Sequence, residues 1–248
     1  MARAALHRSR RILAIDVGGT HVKVLARGQS TAREVASGLE MTARKMVMAV
    51  RELARDWPYD VISIGYPGVV VHGRPVAEPH NLGPGWVGFD FARAFGRPVR
   101  IVNDAAMQAI GGYEGGRMLF LGLGTGLGTA LILDHVVEAT ELAHLPYKKG
   151  RTYEDFLGKH GLKRLGRGKW ERAVHDVTER LSAAFEVDYV VIGGGNAHRL
   201  KRLPPRTRLG SNADAFTGAF RLWLEAGWYT AQEGRRGRIR RRARGSGA

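Results

Sequence analysis

The chain of 248 residues contains no cysteine. That excludes disulfides, thiolate catalysis and cysteine-ligated zinc, and it accords with a reducing compartment. Long apolar runs are also missing, so neither a secretory leader nor a membrane span is read, and a soluble cytoplasmic protein is expected. Acid is absent where base is densest: the stretch 235–244 carries seven arginines and no carboxylate, and Arg3, Arg8, Arg10 and Arg11 fall within the first eleven residues. These arginines account for most of the formal net charge of +16 and leave about +5 for the body of the chain. With few apolar residues to bury, both tails are expected to be disordered. They would attract polyanions without specificity, or simply be solvated.

What is present is glycine, 34 residues of it, concentrated in two turns. The first follows Leu13-Ala14-Ile15-Asp16-Val17 as Gly18-Gly19-Thr20, and the second follows Leu119-Phe120-Leu121 as Gly122-Leu123-Gly124-Thr125-Gly126-Leu127-Gly128. Each is flanked by apolar alternation, the pattern of a β-hairpin. Glycine admits positive φ and lets backbone amides point at an anion, and two such turns about a hundred residues apart suggest a duplicated fold that grips phosphates. Ordinary tight hairpins would read the same way, but Asp16 would not. A lone carboxylate at the end of an apolar strand is awkward in a core and useful for holding a hydrated Mg²⁺ against phosphates. No Walker-type lysine follows either turn, so this is not a P-loop protein.

Between and after the turns, strands alternate with helices, which indicates an α/β fold. Met46, Val47, Val50, Leu53, Ala54 and Trp57 recur at helical spacing, and strands are read at 61–65, 99–102 and 189–192. Helices are read from Ala105, from Gly168 to Phe185 on a Trp170-Val174-Val177-Leu181-Phe185 stripe, and over about 213–226. The expected division is a basic tail (1–11), an N-terminal α/β domain (12–102) joined by the last helix, a C-terminal α/β domain (103–212) and an Arg-rich tail (227–248).

Asp16-Val17-Gly18-Gly19-Thr20, Asn103-Asp104-Ala105, Gly124-Thr125-Gly126-Leu127-Gly128, Glu141-Leu142-Ala143-His144 and Gly193-Gly194-Gly195 occur in the order found in the ROK family of sugar kinases. Over about residues 11–226 the chain resembles that family, and within it most closely the polyphosphate glucokinases. The resemblance implies an actin-like ATPase (ribonuclease H-like) fold of two domains with an interdomain cleft. It implies phosphoryl transfer from polyphosphate and/or ATP, with Mg²⁺, to the 6-hydroxyl of glucose or a related hexose, by a homodimer. The alternatives are a strictly ATP-dependent hexokinase and a non-catalytic sugar-binding regulator. ROK repressors carry an N-terminal helix-turn-helix, and here the first phosphate motif begins at residue 12.

By the same resemblance Asp104 is the general base and Asn103 holds a sugar hydroxyl, although an Asn-Asp pair at a strand-to-helix junction also suits an N-cap. Asn81, Gly68, Glu141 and His144 would line the sugar site, with Glu154 as a further candidate or a surface carboxylate. Asp16, Gly18, Gly19, Thr20, Gly124, Thr125, Gly126 and Gly193–Gly195 would face phosphate, Asp16 also holding the metal. The family's zinc motif has no counterpart here, so no structural zinc is expected. Lys23, Lys148, Lys149, Arg151, Lys159, Lys163 and Arg164 are the candidates for a polyphosphate groove, or are solvated.

Overall fold

A computed structural model describes residues 10–211, 213–225 and 228–230. The expected tails at 1–11 and 227–248, and the last residue of the expected final helix, lie largely outside these described residues. The chain forms two compact units. The first holds the residues up to Asp104, His135–Val137 and those from Ala219 on, and the second holds Ala105–Asp134 and Glu138–Gly218.

The first unit is built on a five-stranded sheet of order β3-β2-β1-β4-β7, comprising β1 (Ile12–Val17), β2 (His21–Ala26), β3 (Arg33–Ala36), β4 (Val61–Tyr66) and β7 (Val99–Asn103). A separate two-stranded ribbon joins β5 (Val70–Val71) to β6 (Arg74–Pro75). The first glycine turn makes β1 and β2 antiparallel, whereas β1 pairs parallel with β4 and β4 with β7. Parallel strands are covered on both faces and read as continuous apolar runs, which is why β1 and β4 are buried almost throughout. β7 is the sheet edge, and within it Arg100 is exposed while Ile101 and Val102 are buried. Helix α1 (Ala43–Leu53) starts where the Thr42 hydroxyl accepts the Lys45 amide, and it buries Met46, Val47 and Val50. The short helix α2 (Phe91–Phe95), capped by Asp90, adds Phe91 and Phe95 to the same core.

In the second unit β8 (Arg117–Leu123) and β9 (Leu127–Leu133) form the second glycine hairpin. Their sheet continues through β10 (Val136–Thr140), β11 (Tyr189–Gly193) and β12 (Thr207–Leu209) to β13 (Tyr229–Thr230), in the order β12-β11-β8-β9-β10-β13. Helix α3 (Asp104–Gly111) follows β7 directly, and α4 (Tyr153–Leu157) and α5 (Lys159–Phe185) lead to β11. The helix expected from Gly168 to Phe185 is present, and a further helical segment precedes it. Helical backbone begins at Lys159 and is broken once, at Gly166, where φ is 69°. Glycine is the residue that takes this left-handed conformation without strain. Of the expected stripe, Trp170, Val174, Val177 and Leu181 are buried and Phe185 is partly buried, with the Trp170 indole donating to the Leu157 carbonyl at 2.8 Å.

The last helix, α6 (Asp214–Leu224), crosses α3 backbone against backbone. A Cβ on Gly218 would strike the Met107 carbonyl and sit 2.9 Å from the Gly111 nitrogen, and a Cβ on Gly111 would strike the Asp214 backbone. Further along, α6 is fixed to the first sheet. The buried Ser63 hydroxyl donates to the Ala219 carbonyl at 2.6 Å and accepts the Trp223 indole at 2.9 Å. Alanine normally gains about 1 kcal/mol over glycine inside a helix. At Gly218 the sign is expected to invert: Gly218→Ala should cost about 1–3 kcal/mol in urea-induced unfolding, because overpacking outweighs helix propensity.

Candidate active site

On the first unit, the expected site residues gather at the carboxyl ends of the parallel strands. Asp16 is the penultimate residue of β1, with Lys23 opposite it on β2 and Gly65 on β4. Directly opposed residues share a face, so the ammonium and the carboxylate lie side by side. Lys23 is drawn the other way by Glu34, 4.0 Å off. Among the described residues the Asp16 carboxyl has no hydrogen-bond partner, and burial pushes its pKa above the usual carboxylate value, against the pull of Lys23. Removal of water is the larger effect.

The turn that follows uses its amides unequally. The Gly18 amide is spent on the His21 carbonyl at 2.9 Å, and the Ser37 hydroxyl and amide hold the Gly18 and Thr20 carbonyls at 2.6 and 2.8 Å. Among the described residues the Gly19 and Thr20 amides have no protein acceptor, so they, rather than Gly18, are the turn's unspent donors. A Cβ on Gly19 would lie 2.9 Å from Cβ of Asn81, which brings the expected sugar-loop asparagine against the phosphate turn. That loop is set by a residue the sequence did not single out: the Glu78 carboxylate accepts the Trp86 and Val87 amides at about 3.1 Å. Asn103, at the end of β7, donates its side-chain amide to the Gly68 carbonyl at 3.1 Å, so these two expected residues are in contact. A Cβ on Gly68 would press the Tyr66 ring at 2.9 Å. Asp104 follows Asn103 as the first residue of α3 and is half-buried.

On the second unit, the Gly124 amide is likewise internal, donating to Gly126 at 3.1 Å, while the Thr125 and Gly126 amides have no protein acceptor among the described residues. The triple glycine packs on this turn from behind. Gly193 lies under the Phe120 ring, and Gly194 (φ 82°) sits against the Leu123 backbone; only Gly195 faces open space. Asn196, which sequence reasoning missed, ties the two together through its amide on Leu123 at 2.8 Å and its side chain on the Gly124 carbonyl at 2.9 Å. Glu154 is not a free surface carboxylate. It is half-buried and accepts the Leu127 amide at 3.1 Å, in space that a Cβ on Gly126 would fill.

Glu141 precedes and His144 ends a 3₁₀ turn (Leu142–His144), and the two face each other at 3.6 Å, both exposed. The Thr129 hydroxyl sets that turn by donating to the Thr140 carbonyl at 2.6 Å and accepting the Leu142 amide. The Tyr153 amide donates to the Leu145 carbonyl at 3.1 Å, which brings the chain next to His144 beside the chain next to Glu154. The loop so closed is pinned to α5 at Asp176, held at about 2 chiefly by the Tyr147 hydroxyl and also by Lys148 and Arg180. Among the described residues no group of three or more His, Cys, Asp or Glu could hold a metal.

The state of Asp16 has a measurable consequence. A carboxyl whose folded pKa is raised stabilises the fold most below its unfolded pKa, and that stability is lost as pH rises through the folded pKa. Asp16→Asn is therefore expected to raise the thermal midpoint at pH 8 and to leave it nearly unchanged near pH 4, as followed by circular dichroism.

The ROK family model matches residues 12–146. No curated protein matches the chain. Among solved structures, an inorganic polyphosphate/ATP-glucomannokinase from Arthrobacter sp. strain KM superposes with a TM-score of 0.74 at 22% identity, covering 86% of this chain and 97% of that one. A ROK family glucokinase from Streptomyces griseus, solved with glucose and AMPPNP, gives a TM-score of 0.71 at 16% identity over 87% and 100% of the two chains. A ROK family transcriptional regulator, a homologue of the E. coli MLC protein, gives 0.67 at 15% identity over 88% and 78%. These likenesses show the fold, the actin-like ATPase fold of ROK sugar kinases. The family match starts at β1 and runs through the 3₁₀ turn between Glu141 and His144, more than half of the sequence, and on that match the chain belongs to the ROK family.

Proposed function

We propose that this chain is a sugar kinase that transfers a phosphoryl group from polyphosphate and/or ATP to the 6-hydroxyl of glucose or a related hexose. The observation that carries the reading is the gathering of Asp16, Gly68, Asn103 and Asp104 at the carboxyl ends of β1, β4 and β7. Asp104 takes the hydroxyl proton as the sugar oxygen forms its bond to phosphorus and the donor's bridging oxygen leaves with the bonding pair. Asn103, fixed by its bond to Gly68, orients a sugar hydroxyl. Asn81, Glu141, His144 and Glu154 supply further polar contacts to a polyhydroxy substrate. The amides of Gly19, Thr20, Thr125 and Gly126 stabilise charge on the phosphoryl group.

The residues fit a bound Mg²⁺. Asp16 is a desolvated carboxylate without a protein hydrogen bond among the described residues, and a magnesium ion commonly takes one or two carboxylates and otherwise phosphate and water. When bound, the ion neutralises charge on the donor phosphates.

Support for polyphosphate comes from the second unit. Lys159 donates its amide to the Gly124 and Thr125 carbonyls at 3.1 Å, so α5 starts at the glycine turn. A depression of about 430 Å³ beside that helix is lined by Arg151, Asp155, His160, Lys163 and Arg164. A repeating anion with no base to recognise suits such a surface.

Glucose 6-phosphate formation with Mg²⁺ tests the reading, with long-chain polyphosphate and ATP compared as donors. Asp104→Asn is expected to lose 10²- to 10⁴-fold in kcat, about the worth of a general base, with KM for sugar little changed. Turnover with ATP alone would assign a strictly ATP-dependent hexokinase. No turnover with either donor across several hexoses would overturn the kinase reading and favour a sugar-binding regulator.

A further inference from the structure

The first unit carries a second concave surface at the opposite edge of its sheet. A depression of about 600 Å³ is lined by Arg11, Arg51, Arg55, Arg97, Trp57 and Tyr59, among other residues. Arg11 immediately precedes β1, Tyr59 lies two residues before β4, and Arg97 lies two residues before β7, so the depression opens at the amino ends of the three parallel strands. Asp16 and Asn103 stand at the carboxyl ends of the same strands. At about 3.3 Å per residue, the five steps from Arg11 to Asp16 put the two places roughly 16 Å apart.

The four arginines come from three separate segments and converge on one hollow. Arg11 is held in place by Asp60, whose two oxygens accept its guanidinium at 3.0 and 2.6 Å. Arg55 pairs with Glu52 at 2.7 Å. Arg51 and Arg97 form no ion pair among the described residues, although Arg97 adds a longer-range pull on Asp60. The carboxyl ends of α1 and α2, at Ala54 and Phe95, also border the hollow and set up a field that opposes an anion. Full positive charges on four guanidiniums outweigh the partial charges of two helix ends. Planar, fork-shaped donors match phosphate oxygens, and four guanidiniums from three segments around one open depression suit an anion with several phosphates close together.

We propose that this depression binds a compact oligophosphate, held by Arg11, Arg51, Arg55 and Arg97. The site is separate from the Asp16 edge and does not rest on the kinase reading. Tripolyphosphate is the probe. In the full chain, phenylglyoxal modification read by peptide mass spectrometry is expected to slow about tenfold or more at Arg51 and Arg97 when tripolyphosphate is present. By calorimetry, Arg51→Gln/Arg97→Gln should lose one bound tripolyphosphate per chain, which Asp16→Asn retains. Unchanged modification rates at both arginines, or a double variant that binds as the wild type does, would overturn the proposal. Protection by duplex DNA but not by tripolyphosphate would overturn it in favour of a nucleic-acid face.

Discussion

Parallel pairing of β1 with β4 and of β4 with β7 is the constraint on which the first unit depends. Strands that run the same way must be joined by crossovers, so every chain entry falls on one edge of the sheet and every exit on the other. The exits carry Asp16, the Tyr66–Gly68 bend and the Asn103–Asp104 junction. The entries carry Arg11, Tyr59 and Arg97. Strand direction thus keeps Asp16 and the Asn103–Asp104 junction at one end of the strands and the arginines, with Asp60, at the other.

Much of this was legible because its signals are local. Alternation broken by glycine marked both hairpins, and the apolar runs of β1 and β4 marked strands buried on two sides. What escaped was short or depended on distant partners. β3, β12 and α2 are three to five residues long, too short for a period to emerge. Gly161, Gly166 and Gly168 diluted the helical signal ahead of Trp170, and only one of them breaks the helix. The bonds from Glu154 to Leu127 and from Asn196 to Gly124 span 27 and 72 residues, and nothing in either neighbourhood announces them. Glycines read as phosphate contacts proved to have a second duty: Gly193 and Gly194 are small because Phe120 and Leu123 lie on them.

The glycine turns themselves divide their labour in the same way in both units. One amide closes the turn and the next two have no protein acceptor among the described residues, with Gly18 and Gly124 in the first role. Donors left unspent in this way are preorganised, since the fold fixes them before any ligand arrives. Asp16 shows the opposing cost. A carboxylate without a hydrogen-bond partner among the described residues, in a desolvated place, is tolerated by the fold rather than needed by it, as is common where stability and activity pull apart.

The sequence of the first unit is interrupted. Its sheet is complete by Asn103, yet the helix segment from Ala219, with the Trp223 indole that closes on Ser63, is made only after the whole second unit. On the ribosome this order acts as a clock. At about 10 residues per second, β4 waits on the order of ten seconds for its covering segment. During that wait the Ser63 hydroxyl has neither of its native partners, and the face of the sheet that Trp223 covers stands open to solvent and to other chains. The second unit is nearly continuous in sequence and ends at Gly218, immediately before that segment.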